Sequence, residues 1–149
     1  MTAETIADYI LCCFRDKGEP ISHLKLQKLL FYVQAWHLAL YEEPLFGDQF
    51  EAWIHGPVIR RIYSKFKDFS WKLITDIPEC PDVPSEVRDH IQEVLNVYES
   101  FSAEDLEYMV HRERPWILAR GDLHPLEPST TQIDEGEMMR FYQEMGRVD

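Results

Sequence analysis

The chain has 149 residues, 45% of them hydrophobic and 13% aromatic, which suffices for one domain with a packed core and is too apolar for intrinsic disorder. No apolar run approaches the roughly 20 residues that span a bilayer, and acidic Glu4 and Asp8 stand where a signal peptide would be basic, so a cytoplasmic location is expected. Fifteen Lys+Arg against 27 Asp+Glu give a formal net charge of −12, which argues against non-specific nucleic-acid binding, a process that needs cations to displace counterions from phosphates.

Ile6, Tyr9, Ile10, Cys13 and Phe14 recur at helical spacing and predict an amphipathic helix over Thr2 to Lys17, closed by Gly18 and Pro20. Ser22 is the expected N-cap of a second helix running to Tyr41, with Ile21 and Leu26 placed for a hydrophobic staple. That helix is apolar around most of its circumference, as central helices are. Its few polar residues, among them Lys25, Gln27, Lys28, Gln34 and His37, must reach solvent or find partners. Gln49 to Ile54 alternates like a short strand, expected to pair with a segment near Trp71 to Ile74, at most residues 71–76.

Gly56 permits a sharp turn, and Pro57 suits the first position of a helix expected to reach about Phe69. The proline-rich stretch from Pro78 to Pro84 reads as an ordered loop. Further helices are expected from Ser85, from Ser102 through Arg112, from Pro115, and from Asp134 onward with Glu137 completing a capping pattern. The elements make a mainly α, compact helical domain over residues 1–149, built around one central apolar helix with a small β element.

The charge is uneven. Residues 1–78 carry 9 Lys+Arg and 10 Asp+Glu, whereas residues 79–149 carry 6 and 17, a net of −11. An acidic half suits a basic protein partner, and equally suits solvated helix faces. Cys12, Cys13 and Cys80 have no metal-ligand spacing and read as reduced, inert thiols. Phosphate-loop, dinucleotide, zinc-protease and serine-hydrolase signatures are missing, so no catalytic residue, cofactor or metal is assigned. His37 and His55 are more simply structural than a two-histidine site. Arg60, Arg61, Lys65, Lys67 and Lys72 form the dense cationic segment, a solvated face or a patch for an acidic partner region; interleaved with Tyr63, Phe66 and Trp71 it could also bind RNA or phosphorylated ligands, a reading the acidic remainder of the chain disfavours. Trp53 and Trp116 are candidate interface anchors or core side chains. The candidate partner-binding residues are Lys25, Lys28, His37, Trp53, His55, Arg60, Arg61 and Trp116.

Two blocks carry a family resemblance. The first is Leu24-Lys25-Leu26-Gln27-Lys28-Leu29-Leu30-Phe31-Tyr32, then Trp36-His37, then Phe50-Glu51-Ala52-Trp53 and Gly56-Pro57-Val58. The second is Ser102 to Leu106, His111, Pro115-Trp116 and Ala119-Arg120. In order and spacing they resemble the Panacea antitoxin domain, the SocA-like and phage-associated GepA-like family, over about residues 6–142. The resemblance implies that Leu26, Leu29, Tyr32, Trp36, Gly56, Pro57, Val58 and Pro115 define the fold, and that His37 and His55 lie near one another. It also implies an antitoxin that neutralises a neighbouring-gene toxin by direct binding. The alternatives are a proteolytic adaptor delivering the toxin to a AAA+ protease, or a phage-associated enzyme acting on a nucleotide or modified toxin. Family members often add an N-terminal DNA-binding domain; this chain starts almost at the core, so transcriptional autoregulation is not expected.

Overall fold

The second helix organises everything around it. The computed structural model describes residues 1–69, 72–76 and 79–148, the side chain of Val148 excepted. Its elements are α1 (Ala3–Asp16), α2 (His23–Tyr41), β1 (Glu51–Trp53), β2 (Gly56–Val58), α3 (Arg60–Phe66) followed by a short 3-10 turn, α4 (Ser85–Tyr98), α5 (Ala103–Val110), α6 (Arg114–Arg120) and α7 (Glu135–Val148). Helix α2 packs against α1, α4, α5, α7 and strand β2. Leu26, Leu29, Leu30, Phe31, Tyr32, Val33 and Ala35 are consequently sealed from solvent on both sides of the helix. An apolar stripe of ordinary width could not bury so many successive residues.

Helix entries follow the expected capping chemistry. Thr2 Oγ1 accepts from the Thr5 N–H, and Ser22 accepts from Lys25. Ser102 and Asp105 form a reciprocal capping box, and Asp134 accepts from the Glu137 N–H at 2.8 Å. Each satisfies an N–H that the helix itself leaves unpaired.

The β element differs from its expected partner. Strand β1 pairs antiparallel with β2, Glu51 opposite Val58, Ala52 opposite Pro57 and Trp53 opposite Gly56. Trp71 lies outside the described residues; Leu73 instead forms an isolated bridge with Ser22. Pro57 therefore sits in a strand, and the helix begins at Arg60 rather than at Pro57. The local hydrogen bonding explains this. The Ala52 N–H donates to Thr131 O at 2.9 Å, and its carbonyl accepts from Arg120 Nη1 at 3.0 Å. Ala52 thus asks nothing of Pro57, which has no N–H to offer.

The cysteines also depart from expectation. Cys12 and Cys80 are joined as a disulfide with Cα atoms 5.7 Å apart, and Cys13 alone is free. Adjacent helical residues point different ways, so Cys12 faces the 79–84 loop while Cys13 turns toward Gln92 of α4.

Buried polar groups tie the helices together. Glu113, just before α6 and 8% exposed, accepts hydrogen bonds on one oxygen from Tyr32 and Tyr142, each at 2.7 Å. Burial raises its carboxyl above the ordinary range, though both hydroxyls oppose the shift. Tyr98 stacks on Tyr32 with centroids 4.1 Å apart and accepts from Trp36 Nε1.

Glu113→Ala should strand two buried hydroxyls and lower stability by roughly 3 kcal/mol, whereas Glu113→Gln keeps an acceptor and should cost less than about 1 kcal/mol. Because the folded carboxyl binds its proton more tightly than the unfolded one, the wild type should gain on Glu113→Gln as pH falls from the raised folded value toward the ordinary carboxyl range. Urea unfolding across pH measures both effects.

Candidate functional site

A cavity of about 610 Å³ opens where the start of α2 meets the hairpin, the first turn of α3 and residues 128–130. Helix α2 supplies His23, Leu24, Gln27 and Lys28; the hairpin supplies Trp53, Ile54, His55, Pro57 and Val58; Arg60, Tyr63 and Lys67 close another side. The size falls within the range of small-molecule sites, and the walls are largely apolar, as such sites usually are.

Gln27 sets the position of the hairpin's exit. Its Oε1 accepts the Ile59 N–H at 2.9 Å, and its Nε2 donates to Ile59 O at 3.2 Å. One side chain thereby satisfies both backbone groups of the residue that precedes α3. Nε2 also lies 3.0 Å from His23 Nε2. Burial, reinforced by Lys28, pushes the His23 imidazole down to about 4, so it is neutral at physiological pH.

Lys28 is 3% exposed, an unusual state for a lysine. Among the described residues, its ammonium donates to Leu24 O, one turn back on its own helix, at 3.3 Å. Burial pushes its amine down to about 8, opposed by Glu107 and Glu104. Gly56 lies against the stem. A Cβ there would meet Val110 Cγ1 at 3.4 Å and Lys28 Cε at 3.6 Å, and φ of +127° is itself unsuited to any side chain.

The aromatic wall is Trp53 against Tyr63, with centroids 4.8 Å apart and planes at 59°. Glu51 braces it, accepting from Trp53 Nε1 at 2.8 Å and from Arg60 at 2.9 and 3.2 Å. The Arg60 guanidinium lies 6.0 Å from the Trp53 ring centroid. Behind the wall, Trp116 Nε1 donates to Trp53 O at 2.9 Å, and Arg120 gathers the carbonyls of Ala52, His124, Pro125 and Glu127. These bonds suspend the irregular segment that carries residues 128–130 over the cavity.

Of the eight candidate residues, four converge here: Lys28, Trp53, His55 and Arg60. Lys25 points elsewhere, donating to Glu99 O at 2.7 Å, and Arg61 pairs with Asp48 and Glu4. Trp116 is buried, stacked on His111 at 4.0 Å. His37 bonds Glu43 O and packs against Tyr41 and His90, whereas His55 approaches Glu107. The two histidines are not brought together. His37 is nine residues beyond Lys28 on α2, about 13 Å along the axis. His37, His55 and Arg60 therefore do not line one pocket. Among the described residues, no three of His, Cys, Asp and Glu are grouped to hold a metal ion, and no helix is long and apolar enough to cross a membrane.

Sequence reasoning did not place His23 or Tyr63 at a site, Tyr63 and Lys67 entering it only within the cationic segment, and it missed residues 128–130. Spacing held a signal for the first two. His23 precedes Gln27 by four residues, and Tyr63 follows Arg60 by three, so each shares a face with a recognised residue. Nothing local marks residues 128–130, whose place depends on the Arg120 clamp.

Lys28→Met should raise stability at pH 7 by roughly 3 kcal/mol, since a displacement from 10.5 to about 8 corresponds to about 1.4 kcal/mol per pH unit. The folded chain binds this proton less tightly than the unfolded one. The wild type should therefore recover relative to the variant as pH rises from about 8 to 10.5, and thermal unfolding over that interval checks the sign.

The comparisons agree with the sequence resemblance. The family model described as "Antitoxin SocA-like, Panacea domain" matches residues 26–117, a span from the α2 motif through Trp116. Antitoxin SocA of Caulobacter vibrioides (strain NA1000 / CB15N) is 31% identical over 133 residues, covering 80% of this chain and 71% of that protein. No solved structure matches the chain.

Proposed function

We propose a function for a chain that belongs to the SocA-like Panacea antitoxin family: it is an antitoxin that neutralises a neighbouring-gene toxin by direct binding, in the cytoplasm. The face around the cavity mouth is the contact surface. The observation that carries this choice is the convergence of Trp53, His55 and Arg60, with Tyr63 beside them, onto one rigid rim. Tyr63 is 38% exposed, and an aromatic pair backed by an arginine is the composition enriched at interface hot spots. The bidentate Arg60–Glu51 pair and the Trp53–Glu51 hydrogen bond hold these side chains in place before a partner arrives, which reduces the ordering cost of association.

The acidic surface contributes differently. Its charge attracts a basic toxin from a distance and raises the encounter rate, an effect that salt weakens. The rim supplies the short-range contacts that resist dissociation.

Co-expression with the neighbouring reading frame should relieve that frame's toxicity, and the two proteins should co-purify. Trp53→Ala should weaken the complex at least ~30-fold, about 2 kcal/mol, with the helical fold retained by circular dichroism, whereas Arg61→Ala, outside the rim, should leave affinity within about twofold. Toxin half-life should stay constant on co-expression; a shorter half-life would instead assign the protein as an adaptor to a protease. A neighbour that is harmless and does not bind would remove the antitoxin reading.

A further inference from the structure

We infer that the cavity is a binding site for a small organic anion, a carboxylate or phosphate ester carried on a flat aromatic body. This goes beyond toxin binding and does not depend on it. Three observations converge. Lys28 is 3% exposed and spends one hydrogen bond on Leu24 O, although an ammonium has three donors. Burying a cation is unfavourable unless further acceptors or an anion complete it.

The charge of the lining points the same way. In a chain with 27 acidic residues, the described lining contains Lys28, Arg60 and Lys67 and no carboxylate. Glu51 neutralises Arg60, but among the described residues no acid forms an ion pair with Lys28; Glu107, the stronger of the two carboxylates acting on it, is committed to His55 at 3.1 Å. The third observation is shape. Trp53 and Tyr63 form an aromatic wall, and Leu24, Ile54, Pro57 and Val58 line the remainder of a 610 Å³ space. A hydrated inorganic ion would leave that apolar surface wet and unused. A ring against the wall with its anionic group toward Lys28 satisfies both halves of the site.

Gly56 fits the same assignment. Its backbone, at φ +127°, brings the hairpin turn against the Lys28 stem, so that Lys28 lines the cavity beside Ile54, His55 and Pro57.

The test uses the full chain alone, with 2-naphthoate and 2-naphthyl phosphate as anionic probes and 2-naphthamide as the neutral one. Calorimetry should show saturable 1:1 binding of at least one anion, at least ~10-fold tighter than the amide. The bound anion should shift the Trp53 indole N–H signal in a nitrogen–proton correlation spectrum. Lys28→Met, which should fold more stably than the wild type, should lose the anion preference while binding the amide within about twofold of the wild type. The better of the two anions names the charged group. Absence of saturable binding by either anion, equal binding of the amide, or an undiminished preference in Lys28→Met would overturn the site. Displacement of the bound anion by purified toxin would place the occupant's role in competition with the partner; independent binding would place it apart. Neutralisation that fails while probes bind removes the antitoxin reading alone.

Discussion

Helix α2 is enclosed along its middle, and the polar side chains it buries there cannot be left to water. The structure meets that constraint by turning its polar side chains into clamps on other segments. Gln27 holds both backbone groups of Ile59. Seven residues on, Gln34 repeats the device, donating to Phe46 O and accepting from Leu45 N, each at 2.8 Å. Two turns of helix separate the glutamines, so they project from one side. The strand of chain between residues 45 and 59 is fastened at both ends to the same helix face. Tyr32, on another side, reaches Glu113 and through it Tyr142. A satisfied buried network specifies one arrangement because every alternative strands a donor or acceptor.

The cavity follows from those clamps. With Ile59 held by Gln27, the hairpin lies beside Lys28, and Gly56, at φ +127°, takes a backbone conformation there that side-chain-bearing residues rarely adopt. Trp53 is then set by three bonds that do not involve α2: its indole to Glu51, its carbonyl to Trp116, and the Glu51–Arg60 pair. The rim thus rests on short hydrogen bonds among rigid elements. Long surface ion pairs, such as Arg61 with Glu4 or Lys65 with Asp8, contribute little by comparison.

Much of this was legible in the sequence where local chemistry decides. The caps at Ser22, Ser102 and Asp134, the all-round apolarity of the second helix, and the turn at Gly56 each depend on a few neighbouring residues. Long-range pairing was less legible. Pro57 reads locally as a helix start, and only the engagement of Ala52 with Thr131 and Arg120 makes a strand position acceptable there. Cys12 meets Cys80 across 68 residues of sequence, a proximity no spacing rule supplies. At the site, Lys28, Trp53, His55 and Arg60 were identifiable as residue types needing an explanation. Their convergence, and the exclusion of His37 from it, required knowing which end of α2 the hairpin covers.

The assignment of the rim as the toxin surface is the claim on which the functional account turns. Hydrogen–deuterium exchange of the chain, free and in complex with the purified toxin, tests it most directly. The account predicts slowed exchange in residues 51–63 and 128–130 on complex formation, with α4 and α7 unchanged. Protection confined to the acidic α4 or α7 surface, with the hairpin exchanging as in the free chain, would contradict it.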